Sequence, residues 1–127
     1  MRVLLVYPNL YGMNMLPPAI GLLNSCLLDA GYKTALFDTT NYATWGHLDV
    51  VSDKLKEEHL NARPFDDSLL RETVRESSPK ADFKSAIQSF QPDVIAISVT
   101  EDMYPNALEL LTAFDGEDRP VTVMGGV

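Results

Sequence analysis

A continuous apolar run, RVLLVY at 2–7 stopped by Pro8, most constrains the fold, and VIAISV at 94–99 and VTVM at 121–124 read as further strands. A strand with one wet face alternates apolar and polar side chains. A run that stays apolar at neighbouring positions is buried on both faces, the habit of a parallel sheet covered by helices. A fourth run, TALF at 34–37, ends at Asp38. Helical periodicity fills the intervals, and strands alternating with helices predict right-handed crossovers. The fold class expected is therefore α/β: a Rossmann-like (flavodoxin-like) open parallel sheet with flanking helices.

Between these strands the punctuation is clear. Pro17 and Pro18 open the first helix, where a missing N–H costs nothing. Ile20, Leu23, Leu27 and Ala30 share one of its faces, and Gly31 is placed to end it in the left-handed conformation. Helices are also expected at 82–90 and 106–114, with a turn at Gln91-Pro92-Asp93 and a loop at 100–104. Over about 41–80 charge of both signs is interleaved, and the pattern suggests a helical insertion lying over the sheet. Leu48, Val51 and Leu55 mark one of its helices; Leu69, Leu70 and Val74 mark another, capped by Asp66 or Asp67. Gly125-Gly126 follow the last strand where a loop should lead to another helix. The expectation is one domain over 1–127, cut after its fourth strand and forming the N-terminal part of a longer chain.

Composition excludes several classes. A net charge of −8 opposes a nucleic-acid partner, which needs a basic face, and equally an anionic membrane surface. No apolar run approaches the roughly 20 residues that span a bilayer. The apolar start meets Pro8 too soon for a signal peptide, so a cytoplasmic location is the default. Cys26 is the one cysteine, which rules out an internal disulfide framework and any all-cysteine metal site within the chain.

Ligands of open α/β sheets sit outside the carboxyl ends of the strands. That selects residues 8–16, 38–42, 98–104 and 125–127. The loop after the first strand, Pro8-Asn9-Leu10-Tyr11-Gly12, has one glycine and bulky neighbours, a poor cradle for a dinucleotide pyrophosphate. A P-loop is absent, the acids of a phosphorylated receiver domain are missing, and the hydroxyl-rich loop of a flavin mononucleotide site is not there.

Four stretches in order remain: a first strand ending Tyr7-Pro8; Pro17-Pro18-Ala19-Ile20-Gly21-Leu22-Leu23 continuing to Leu28-Asp29-Ala30-Gly31-Tyr32; Phe90-Gln91-Pro92-Asp93 running through Val94 to Thr100; and Val123-Met124-Gly125-Gly126-Val127. Together they resemble the cobalamin-binding N-terminal domain of cobalamin-dependent radical S-adenosylmethionine proteins. The resemblance implies cobalamin as cofactor, held by Asn9, Leu10, Tyr11, Asn14, Ser98, Thr100, Glu101, Gly125 and Gly126. The nucleotide tail would thread beside the sheet, past Ser98 and Thr100 and over the two glycines. Replacing Gly126 by Val is expected to block that channel and spare the fold. The resemblance further implies a downstream radical barrel in the same chain, carrying S-adenosylmethionine and a 4Fe-4S cluster on its own three cysteines, and chemistry of the methyltransferase type. The Asp-x-His-x-x-Gly signature of methionine-synthase-type domains is absent: residues 7–16 contain no histidine. No protein imidazole is then expected beneath the cobalt, with His47 the one candidate to supply it.

Each residue also has a plainer reading. Ser98 serves equally as a small core residue, and Gly125-Gly126 as a tight turn. Asp38 reads as a strand-end cap, and Cys26 as buried helix packing. Met13, Met15 and Met103 line an apolar ligand face or fill space; His47 and His59 read as solvated. A stand-alone binding or sensor module without catalysis is the alternative to the enzyme reading, and half of a nucleotide-sugar glycosyltransferase is a weaker third.

Overall fold

The structure, a computed structural model, describes residues 1–11, 16–45, 73–114 and 119–126. Its elements are β1 (Arg2–Tyr7), α1 (Pro18–Asp29), β2 (Lys33–Asp38), α2 (Pro79–Phe90), β3 (Val94–Ser98), a 3-10 turn (Glu101–Met103) leading into α3 (Tyr104–Leu111), and β4 (Val121–Gly125). All pairings are parallel and the strand order is β2-β1-β3-β4. This is the expected Rossmann-like open sheet with flanking helices.

β1 is buried on both faces because its side chains feed two cores. Leu4 and Val6 point into the larger one, with Phe37, Ile95, Ile97, Phe83 of α2, and Ala107 and Leu110 of α3. Val3, Leu5 and Tyr7 point the other way, onto Ile20 of α1 and Met103. One face of the sheet thus carries α2 and α3, and the other carries α1. In the larger core Phe83 is fully buried, with ring centroids 5.1 Å from Phe37 and 6.1 Å, edge-on, from Phe114.

Local chemistry sets the helix ends. Ser78 caps α2 through the N–H of Ala81, and Pro79 follows it, so α2 begins before the 82–90 expected. At its other end Gln91 adopts φ 49°, while Gly31 (φ 80°) closes the turn after α1 as anticipated. α3 starts at Tyr104, ahead of the expected Asn106, with Pro105 in its first turn. Cys26 is exposed, not packed; α1 buries only Ile20 completely. No helix among the described residues is long and apolar enough to cross a membrane.

The excursion expected over 41–80 belongs partly to the core. Tyr42 and Trp45 are buried in it, and Pro79 and Lys80 open α2. Residues 46–72, with His47, His59 and the proposed Asp66 or Asp67 cap, lie outside the described residues. On either side of that stretch the chain is pinned by a parallel bridge, Tyr42 to Arg75: the Arg75 N–H donates to the Asn41 carbonyl at 2.7 Å, and the Ala43 N–H to the Arg75 carbonyl at 3.0 Å. The Tyr42 hydroxyl donates to Asp82 Oδ2 (2.9 Å) and accepts from Arg75 Nη1 (3.0 Å), and Ser77 Oγ donates to the same carboxylate oxygen (2.6 Å).

Burial, with the neighbouring Asp82 carboxylate in support, pushes the Tyr42 phenol above its ordinary value, against the opposing pull of Arg75. A raised folded-state pKa means that the stabilisation is complete below the unfolded value, about 10, and is lost as pH climbs through the folded value. Tyr42→Phe is therefore expected to cost about 1–3 kcal/mol in urea denaturation at neutral pH. The gap between the two proteins should narrow in strongly alkaline buffer; a gap that stays constant there would show that the phenol is not the titrating group.

Candidate functional site

Strand order places the topological switch between β1 and β3, whose crossovers leave on opposite faces of the sheet. The carboxyl end of that crevice is filled. Met103 is buried there, and Asn106 Nδ2 reaches across to the Pro8 carbonyl at 3.4 Å. Met103, expected at an apolar ligand face or in the packing, takes the packing role.

Loop residues after β1 are drawn toward β2. Asn9 is fully buried; its Nδ2 donates to Thr40 Oγ1 at 2.9 Å, and its carbonyl accepts from Thr39 Oγ1 at 2.7 Å. The Tyr11 N–H donates to the Trp45 carbonyl at 3.2 Å. Asp38 turns on itself, accepting from both the N–H and the hydroxyl of Thr40, which is the strand-end role anticipated for it. Burial raises the Tyr7 phenol, and the Asp38 carboxylate beside it adds to the shift. Asn9, Leu10 and Tyr11 line neither of the grooves described next; Asn14, with Met13 and Met15, lies outside the described residues.

Open space lies one strand further along, where β3 meets β4. A groove of about 390 Å³ has a floor of Leu5, Ala96, Ser98, Val123 and Gly125, with Ile20 and Leu23 of α1 as its wall. Register explains the floor: Ala96 pairs with Val123 and Ser98 with Gly125, on the sheet face that bears α1. Among the described residues, α1 covers the β1–β2 side of that face and no helix covers the rest. Val121 and Val123 are 66% and 58% exposed in consequence. A second groove, also about 390 Å³, runs along Val99, Thr100, Glu101, Tyr104 and Met124. Both grooves are bounded by Gly125 and Gly126, so together they wrap the tip of β4. Of the residues singled out from sequence, Ser98, Thr100, Glu101, Gly125 and Gly126 come together here. Leu5, Ile20, Leu23, Val123 and Tyr104 join them; Leu5 and Val123 were read as strand residues and Ile20 and Leu23 as one face of α1, not as lining of a site.

The lining is mostly hydrocarbon, with the Ser98 and Thr100 hydroxyls and one carboxylate, Glu101, and it contains no lysine, arginine or histidine among the described residues. A larger hollow of about 550 Å³ lies at the opposite, amino edge, lined by Arg2, Lys84, Gln91, Asp93 and Pro120 among others. There Asp93 Oδ2 already accepts the Arg2 N–H at 2.6 Å, and the concavity is a gap between strand starts and α2. The carboxyl-edge grooves are the better candidate, because loops at that edge are free to vary while the strands hold them. No group of three or more metal-ligating side chains occurs among the described residues. No protein-family model, no curated protein and no solved structure matches the chain.

Its two glycines do different work. A Cβ on Gly126 would fall 1.6 Å from the Val99 carbonyl oxygen, whereas a Cβ on Gly125 meets nothing within 4 Å. Gly126 is thus pressed against the β3 backbone, where the Val99 N–H also donates to the Gly125 carbonyl at 3.0 Å. Replacing Gly126 by Val therefore cannot spare the fold as the sequence suggested, and Gly125 is the position that opens onto the groove. Gly126→Ala is expected to cost about 1–3 kcal/mol through overpacking, read as a lower melting temperature. Gly125→Ala should leave stability within about 0.5 kcal/mol or raise it slightly. Equal losses from both would mean that the close approach of Gly126 to Val99 is not what distinguishes them.

Proposed function

We propose that this chain is a cobalamin-binding module, the cofactor-holding part of a radical S-adenosylmethionine enzyme of the methyltransferase type whose barrel follows in the same polypeptide. The observation that carries the reading is the paired groove around Gly125-Gly126. It is mostly apolar, has Ala96, Ser98 and Gly125 in its floor, and is lined from three of the four resembling stretches, through Ile20 and Leu23, Ala96 to Thr100, and Val123 to Gly126. A nucleotide tail needs such a channel, close to backbone and free of Cβ atoms, and the open space above Gly125 fits it.

Ser98 and Thr100 are the hydroxyls that would donate to the tail; Gly125 and Gly126 are the residues it would run over; Leu5, Leu23 and Val123 would exclude water from it. When bound, the corrinoid supplies a methyl-carrying cobalt. The described loop residues 9–11 offer no imidazole to that metal. Cys26 is the one cysteine of the chain, so a 4Fe-4S cluster and the S-adenosylmethionine it binds must be held by residues outside this sequence. In this reading the two grooves hold the cofactor, and holding is this chain's part. The same observation supports, as the second reading, a binding or sensor module that works without a barrel.

Incubation with hydroxocobalamin followed by desalting tests the proposal. The parent chain is expected to retain corrinoid absorbance, and Gly125→Val, with the same circular dichroism spectrum, to lose it at least tenfold. Retention by neither protein would overturn the cobalamin reading. Equal retention by both would move the site away from β4.

A further inference from the structure

Across the two grooves the described lining contains a single ionisable side chain other than the phenol of Tyr104, and it is an acid. Glu101 stands exposed on the second groove, in the 3-10 turn that opens α3, with Thr100 on one side and Tyr104 along the rim. No lysine, arginine or histidine lines either groove, and the chain carries a net charge of −8. A carboxylate is an acceptor only: beside an apolar groove it is satisfied by an N–H or O–H on the ligand and repels a second carboxylate. The local dielectric at a groove rim makes that repulsion larger than in bulk water, and among the described residues no cation lines the grooves to offset it.

We propose that Glu101 is the specificity-determining residue of this site: it accepts a hydrogen bond from a neutral amide on the ligand and turns away the same ligand carrying a carboxylate there. The inference rests on the cobalamin reading above, since the corrin periphery is ringed by such amides, and it adds which corrinoids are admitted. The charge of the groove, not its shape, makes the distinction, because an amide and a carboxylate are nearly isosteric.

The experiment uses hydroxocobalamin and the set of its monocarboxylic derivatives, each with one peripheral amide hydrolysed. Affinity for each is measured by difference absorbance on the parent chain and on Glu101→Gln. The exposed position and near-identical shape of Gln keep the fold intact, and circular dichroism checks this. The parent chain is expected to bind at least one of the acids about 3- to 10-fold more weakly than the amide form, as one added like-charge contact predicts. Glu101→Gln should bring that ratio close to one, by gaining affinity for the acid and not by losing it for the amide. In the parent chain the ratio should also shrink with added salt. If Glu101→Gln leaves every ratio unchanged, or if the parent chain binds amide and acids equally, Glu101 does not select the ligand while the cobalamin reading stands. If neither protein binds any corrinoid, the cobalamin reading falls and this inference falls with it.

Discussion

Everything in this fold hangs on β1 being buried from both sides. Val3, Leu5 and Tyr7 serve one core and Leu4 and Val6 the other, so one six-residue strand holds α1 on one face and α2 and α3 on the opposite face. Burying a Val or Leu side chain contributes about 1.5–3 kcal/mol, and β1 is the described strand most fully buried on both faces; β3 follows it, with Ile95 and Ile97 in one core and the half-buried Val94 and Ala96 against the other. Parallel neighbours then fix where ligands can go: β2 and β3 flank β1, their crossovers leave on opposite faces, and all carboxyl ends lie at one edge. The chain fills the crevice this creates with Met103 and the Asn106-to-Pro8 hydrogen bond. The space that remains lies beside β4, where one face of the sheet has no helix over it among the described residues.

β1 was legible because an apolar run with no alternation has few other interpretations, and the shorter strands followed from their place between helical segments. Their ends shifted by a residue or so: β2 extends to Lys33 and Asp38, and β4 includes Gly125. Helix α1 was legible as a helix but not in its orientation. Residues 18–28 contain no charged side chain, so the apolar stripe has no polar counterpart to define it, and Cys26 was assigned inward when it faces out. Met103 illustrates the converse. It is flanked by Glu101 and Asp102 in sequence, which suggests an exposed loop, yet a 3-10 turn rotates its side chain alone into the core. The early start of α2 was available in Ser78-Pro79, a cap followed by a first-turn proline, but the charged stretch before it obscured the boundary.

The candidate site was only half legible. Residues that stay near their own strand end, Ser98, Thr100, Glu101 and the two glycines, fell where the carboxyl-edge rule puts them. Asn9 did not, because its destination depends on Thr39 and Thr40, thirty and more residues away in the chain. Gly125 and Gly126 are indistinguishable as letters. Only the through-space position of the Val99 carbonyl separates a glycine required by packing from one that leaves a groove open.

The charge of the groove constrains its ligand more tightly than its shape does. Most small-molecule sites on open α/β sheets meet phosphates with backbone amides, a helix N-terminus or a basic side chain. Here no basic side chain among the described residues lines the grooves, and the overall negative charge opposes anions during the approach as well as at contact. Affinity must then come from apolar area removed from water, about 25 cal/mol per Å², and from hydrogen bonds to hydroxyls and main chain. Such a site rewards a large, mostly neutral ligand over a small charged one, since only a large ligand covers enough hydrocarbon to offset the freedom lost on binding. A phosphomonoester would bring a double negative charge with little area, whereas a diester embedded in a broad neutral molecule brings one charge and much area. That balance of charge against area, with the Cβ-free tip of β4, is what the proposed corrinoid reading rests on, and it sets such a ligand apart from a mononucleotide.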